Sequence, residues 1–148
     1  MPISSHKNLH HNCMRPGLSA IPKKDKKKII ITKNLSPHIL ESIFLDDCYK
    51  KAQPNVNRWD YIIFFSSTVN PSAKCIEVHS CDDVNCMEKK YNWLKNLILS
   101  QNLGKINDYE FIWVYSNEDS LPRSSRKFKL RTLMLARTGM RGTSCIRI

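Results

Sequence analysis

Lys74-Cys75-Ile76-Glu77-Val78-His79 is the stretch from which the rest of the chain can be placed. Ile76 and Val78 alternate with Cys75, Glu77 and His79, which is the period of a β-strand. One face of that strand therefore carries a carboxylate and an imidazole two residues apart. Asn70-Pro71-Ser72-Ala73 before it has the composition of a turn. Upstream of the turn, Trp59-Asp60-Tyr61-Ile62-Ile63-Phe64-Phe65 is a continuous aromatic and β-branched run, as expected of a strand covered on both sides. Two such runs with a short connection predict an antiparallel hairpin, with Asp60 at the start of its first strand.

Downstream, Ser80 to Asp83 offers N-cap residues for a helix running from Asp83 to Ser100. At roughly 100° per residue, Val84, Met87, Tyr91, Leu94, Leu97 and Ile98 gather on one side. Lys90 falls on this apolar arc between Leu94 and Leu97, while Lys89 points outward. Two readings of Lys90 stand. Its stem packs and its amine reaches water, or a buried anion meets the ammonium. Gly104 suits a left-handed cap after the helix. Tyr109 to Tyr115 alternates as a third strand, Phe128 to Thr138 reads as a helix ended by Gly139, and Ser144 to Ile148 reads as a terminal strand.

On the N-terminal side, Ser36-Pro37 predicts a helix start, with Ile39, Leu40, Ile43, Phe44 and Cys48 on one side through Lys51 and Asp47 inside that arc. Ile29 to Thr32 is β-branched and predicts a short edge strand. Residues 1–22 lack periodicity and predict a mobile tail, and Lys23 to Lys28 is a charge run that reads either as a solvated arm or as a polyanion contact. Residues 1–34 are thus expected to form a basic, flexible arm, and residues 35–148 a single domain.

The 148 residues carry 41% hydrophobic and 25% charged residues, the balance of an ordinary globular domain. No run approaches the ~18 apolar residues needed to span a bilayer, and no apolar leader is evident at the N-terminus. A cytoplasmic, membrane-free setting is the expectation. The net charge of +11 is uneven. Eight Lys/Arg against one acid lie in residues 1–34, and eight against none in 121–148, around a middle with eight basic and twelve acidic residues. Basic flanks around an acidic centre suit a phosphate backbone meeting a metal-binding site, or else a merely solvated surface. The six cysteines lack CxxC pairs, so reduced thiols are expected; His79, Cys81 and Cys86 are the set a zinc ion would use. No G-x-S-x-G elbow is present, and four glycines leave no phosphate-cradling loop, which argues against serine hydrolases and P-loop enzymes.

An acid at one strand start, Glu-x-basic on the next strand and a lysine on the following helix make a pattern that resembles the PD-(D/E)XK nuclease superfamily. The resemblance covers about residues 36–116, with His79 where the motif has lysine and Trp59 where it has proline. It implies a restriction-endonuclease-like α/β fold, a three-layer sandwich with a mixed central sheet flanked by helices. It further implies hydrolysis of phosphodiester bonds in DNA or RNA. Carried over by position, Asp60 and Glu77, with the Val78 carbonyl as a third ligand, would hold Mg²⁺ or Mn²⁺, and His79 or Lys90 would replace the motif lysine. Glu41 or Asp47 would be the nearest source of another acid. The alternatives are a nucleic-acid-binding module without catalysis and a protein-interaction module of the same fold.

Overall fold

The computed structural model describes residues 13–148. In chain order the elements are β1 (Arg15–Pro16), α1 (Lys23–Lys26), β2 (Ile29–Ile30), a 3-10 turn (Ser36–His38), β3 (Ile39–Phe44), α2 (Leu45–Tyr49), β4 (Tyr61–Phe65) and β5 (Ala73–His79). They continue with α3 (Val84–Ser100), a second 3-10 turn (Ile106–Asp108), β6 (Tyr109–Tyr115), α4 (Arg126–Thr138), β7 (Arg141–Thr143) and β8 (Ile146–Arg147). Among the described residues, six strands form one sheet in the order β1-β3-β4-β5-β6-β7. The pairs from β1 to β5 are antiparallel, and those from β5 to β7 are parallel. The protein is therefore an α/β domain built on a mixed sheet.

The change from antiparallel to parallel occurs at β5, the strand that carries Glu77 and His79. β4 and β5 form the expected hairpin, in register Tyr61↔Ile76. The connection from β5 to β6 contains α3, since parallel neighbours need a crossover of this length. α3 is capped as its sequence requires, with the Asp83 side chain accepting from the Cys86 N–H. It buries Met87, Tyr91, Leu94, Leu97 and Ile98, and the chain leaves it through left-handed residues at Asn102 and Gly104.

The two faces of the sheet are covered differently. α3 and Met134 of α4 pack with Cys75, Phe111 and Trp113 on one face. On the other, Tyr61, Ile63, Ile76, Ile112 and Val114 meet Ile21 and Ile29 from the N-terminal segment and Ile146 and Ile148 from the C-terminus. β2 and β8 pair there as a short parallel ribbon. This second layer is a ribbon with the single turn of α1, and it stands where a flanking helical layer was expected.

Three expectations need correction. The helix expected from Ser36 to Lys51 is a 3-10 turn, a strand and a one-turn helix. Ile39, Ile43 and Phe44 share a helical arc, but the ladder offered by β4 decides for a strand that sends Ile43 to one face and Ile39 and Phe44 to the other. The expected flexible arm divides: residues 1–12 lie outside the described residues, and residues 13–34 lie against the domain. β1 and β2 pair there with β3 and β8, and Asp25 accepts a hydrogen bond from the Tyr61 hydroxyl. Apolar Ile21 and Ile29 hold this segment down, Lys28 donates to the Tyr115 carbonyl, and its other lysines are exposed. Finally, Cys13 and Cys48 form a disulfide, where reduced thiols were expected. Pairing of β1 beside β3 brings the two cysteines together across 35 residues of sequence. Cys75, Cys81, Cys86 and Cys145 are free thiols.

Candidate functional site

The ladder between β4 and β5 stops at Tyr61–Ile76, and side chains take over the backbone bonds beyond it. The Asp60 N–H donates to Glu77 Oε2 at 2.7 Å, and the Val78 N–H donates to Asp60 Oδ2 at 3.1 Å. Continuing the register sets Asp60 opposite Glu77, and opposed residues of an antiparallel pair point to the same face. That face is the one covered by α3. Lys90, on the second turn of α3, donates from Nζ to Glu77 Oε1. The lysine on the apolar arc is thus a partnered lysine, and the snorkelling reading of Lys90 is set aside.

A cleft of about 430 Å³ opens where the strands part, lined by Asp60, Glu77, Val78, His79 and Lys90 together with Asp25, Asp46 and Lys24. All four residues of the expected constellation therefore share one cavity, and so does Val78. Asp46 is the further acid that the sequence reading sought in Glu41 or Asp47. It lies on α2 beside Asp60 and is bound by Arg58 at 3.0 Å, whereas Asp47 is exposed and pairs with Lys50. Asp25 reaches the cleft from the N-terminal segment. The sequence carried no signal for either acid, because both arrive by tertiary contact.

The electrostatics follow from two carboxylates facing one cation. Glu77 is fully buried, and burial pushes its carboxyl well above the ordinary range. The Asp60 charge pushes it further, and Lys90 only partly offsets this. Asp60 is pushed up to about 6, again mainly by burial, with Lys90 and the Val78 N–H pulling the other way. Burial alone would pull Lys90 down, but the charge and hydrogen bond of Glu77 outweigh it, and the ammonium ends above its ordinary value. One ammonium cannot neutralise two desolvated carboxylates, so the cluster favours a proton or an added cation.

Of the four carboxylate oxygens, three are engaged: both of Glu77 and Oδ2 of Asp60. Asp60 Oδ1 makes no hydrogen bond among the described residues and is open to the cleft. These are hard oxygen donors with surplus negative charge, the chemistry that Mg²⁺ or Mn²⁺ takes. His79 stands beside them. Its Nδ1 lies 4.0 Å from Glu77 Oε1, and its Nε2 lies 3.0 Å from Asp83 Oδ2.

The zinc set expected from the sequence changes membership. Cys81 is buried away from the others, with its thiol toward the Glu118 carbonyl, and Asp83 takes its place beside His79 and Cys86.

Ion pairing separates the two basic flanks. Lys127, Arg131, Arg137 and Arg141 of the C-terminal flank sit against Asp82, Asp119, Glu88 and Glu110. Lys23, Lys24, Lys26 and Lys27 are exposed and make no ion pair among the described residues. No helix among the described residues is long and apolar enough to cross a membrane. Comparison of the chain with known protein families, with curated proteins and with solved structures finds no match in any of the three.

Proposed function

We propose that this domain is a divergent PD-(D/E)XK-type nuclease that hydrolyses phosphodiester bonds of nucleic acid with Mg²⁺ or Mn²⁺. The observation that carries the reading is that Asp60 and Glu77, from neighbouring strands, meet in one cleft with Lys90 on the Glu77 carboxylate. The succession of hairpin, helix and parallel strand from 59 to 115 supports it, with the restriction-endonuclease-like fold as the framework.

Asp60, through its open Oδ1, and Glu77 would hold the metal, with Val78 at the same wall of the cleft. When bound, such an ion lowers the pKa of a coordinated water and draws charge from the phosphate. The other roles fall to this chain's own side chains. His79 stands where the attacking water would give up its proton, and Asp83 fixes the ring from Nε2, leaving Nδ1 toward the cleft. Lys90 favours the ionised form of Glu77 against the effect of burial, and would bring a positive charge to the negative charge that develops on the phosphate. Lys24 at the rim and its unpaired neighbours provide the sequence-independent attraction for a phosphate backbone.

The test is cleavage of DNA and RNA by the purified chain with Mg²⁺ or Mn²⁺. Activity abolished by EDTA and by Glu77→Ala supports the proposal; metal-dependent cleavage untouched in Glu77→Ala refutes it. A second reading is binding of nucleic acid without cleavage, and it rests on Glu77 being engaged at both oxygens. It predicts salt-sensitive binding that survives EDTA in a chain that cleaves nothing.

A further inference from the structure

We propose a second, softer metal site at the corner between β5 and α3, in which His79, Asp83 and Cys86 bind Zn²⁺. This site does not depend on the nuclease reading. One ligand atom from each of the three residues lies within 4.8 Å of the others. His79 Nε2 and Asp83 Oδ2 are already 3.0 Å apart. Zinc–ligand bonds of about 2.0–2.3 Å in a tetrahedron set the ligand atoms about 3.3–3.8 Å from one another. Cys86 therefore needs to close by only about an ångström, within reach of a rotamer change of a part-buried side chain at the surface.

The chain holds the three groups in place without a metal. His79 ends β5, Asp83 caps α3 and Cys86 lies in its first turn, so the strand-to-helix corner converges them. The cap bond uses Asp83 Oδ1, which accepts from the Cys86 N–H, and so Oδ2 is turned toward the imidazole. On the far side of the ring, Nδ1 faces Glu77 at 4.0 Å. The Cys86 thiol points to Asn57 Oδ1 at 3.6 Å, and this amide oxygen or a water completes four-coordination. A thiolate, an imidazole and one carboxylate select Zn²⁺ or Co²⁺ over Mg²⁺, in contrast to the all-oxygen set of Asp60 and Glu77. As the S–Zn bond forms, the thiol proton leaves to solvent, so ligand charge and metal charge balance at the site. The positive end of α3 opposes a cation here, but a thiolate and a carboxylate in direct contact outweigh partial charges.

The experiment uses the full chain, stripped with chelator and titrated with Co²⁺ and then with Zn²⁺. The expected result is one tightly bound Co²⁺ with a thiolate-to-cobalt charge-transfer band that one equivalent of Zn²⁺ erases. Cys86→Ser should abolish the band and weaken Zn²⁺ roughly tenfold or more. Asp83→Asn should weaken binding too, and because asparagine is an equally good N-cap the helix should stay intact by circular dichroism. Cys145→Ser, which removes an exposed free thiol, should change neither. His6, His10 and His11 in the N-terminal sequence can take up cobalt, but without a thiolate they give no such band. A band that persists in Cys86→Ser, or Zn²⁺ affinity unchanged in both Cys86→Ser and Asp83→Asn, overturns the proposal.

Discussion

Asp119 and Asp60 are two carboxylates set near a cation, fully buried in one case and part-buried in the other, and the fold treats them in opposite ways. Arg131 is buried on α4 and grips Asp119 through both terminal nitrogens, at 3.1 and 2.9 Å. Its guanidinium also lies over the Tyr115 and Phe128 rings and donates to the Cys81 carbonyl. One cation serves one anion with ideal forked geometry, and the hydrogen bonds from Arg131 hold the Asp119 carboxyl below its ordinary range. At the Asp60 end of the sheet one ammonium serves two carboxylates, and burial pushes both upward. The first arrangement secures the fold. The second leaves negative charge unmatched at the edge of a cleft, which is the condition for recruiting a cation.

The contrast is sharpest in activity. Glu77→Gln is expected to lower metal-dependent cleavage by roughly a thousandfold, about 4 kcal/mol of barrier. Arg131→Met should leave the cleavage rate of the folded fraction unchanged. Equal losses from the two variants would erase the functional distinction between the sites.

In denaturant unfolding the order reverses. Arg131→Met should destabilise by about 3 kcal/mol, because it strands Asp119 and empties a stacked position; the figure is at the low end for buried pairs, since Asp119 is part-exposed. A change under 1 kcal/mol would show that this bridge is not structural.

The pH dependence separates the two acids by sign. Asp60 in the folded chain holds its proton to about pH 6, above its ordinary 3.8. Its contribution to stability is therefore complete below pH 3.8 and is lost as pH rises through 6, about 3 kcal/mol in all. Asp119 is held below its ordinary value, so its contribution is present above that value and lost as pH falls through its folded one. Asp60→Asn should accordingly be more stable than the wild type at pH 7.5 by up to about 3 kcal/mol and equal to it near pH 4, as read from urea midpoints. A difference independent of pH would mean that Asp60 is not desolvated.

A smaller effect is expected from the metal. At tenfold over its Kd, Mg²⁺ or Mn²⁺ should stabilise the wild type by about 1.4 kcal/mol at pH 7.5 and leave Asp60→Asn unmoved. The exposed Lys50–Asp47 pair is the floor of the comparison, and Lys50→Ala should change neither stability nor activity measurably.

How much of this could be read in the sequence depended on whether one period was enough. The alternation at Ile76, Glu77, Val78 and His79 has a single interpretation, and the arc that placed Lys90 among leucines forced the question of its partner. Asp60 was placed by its position before a run buried on both sides. Ile39 to Phe44 fits both a helix and a strand, and only pairing with β4 distinguishes them. Asp25, Asp46 and the Cys13–Cys48 disulfide depend on segments far apart in the chain, to which local pattern is blind. Arg131 went unread for another reason. Leu130 and Leu133 of α4 are apolar yet exposed, and the arginine is inside because Asp119 and two rings receive it.

Whether Asp60 and Glu77 share a divalent ion decides between a catalytic and a merely charged cleft. Diffraction from Mn²⁺-soaked crystals at the manganese anomalous edge tests this directly. The expected result is a peak between the two carboxylates, about 2.1 Å from Asp60 Oδ1 and from one oxygen of Glu77. Crystals saturated with Mn²⁺ that show no peak there, with Lys90 still bonded to Glu77, would contradict it.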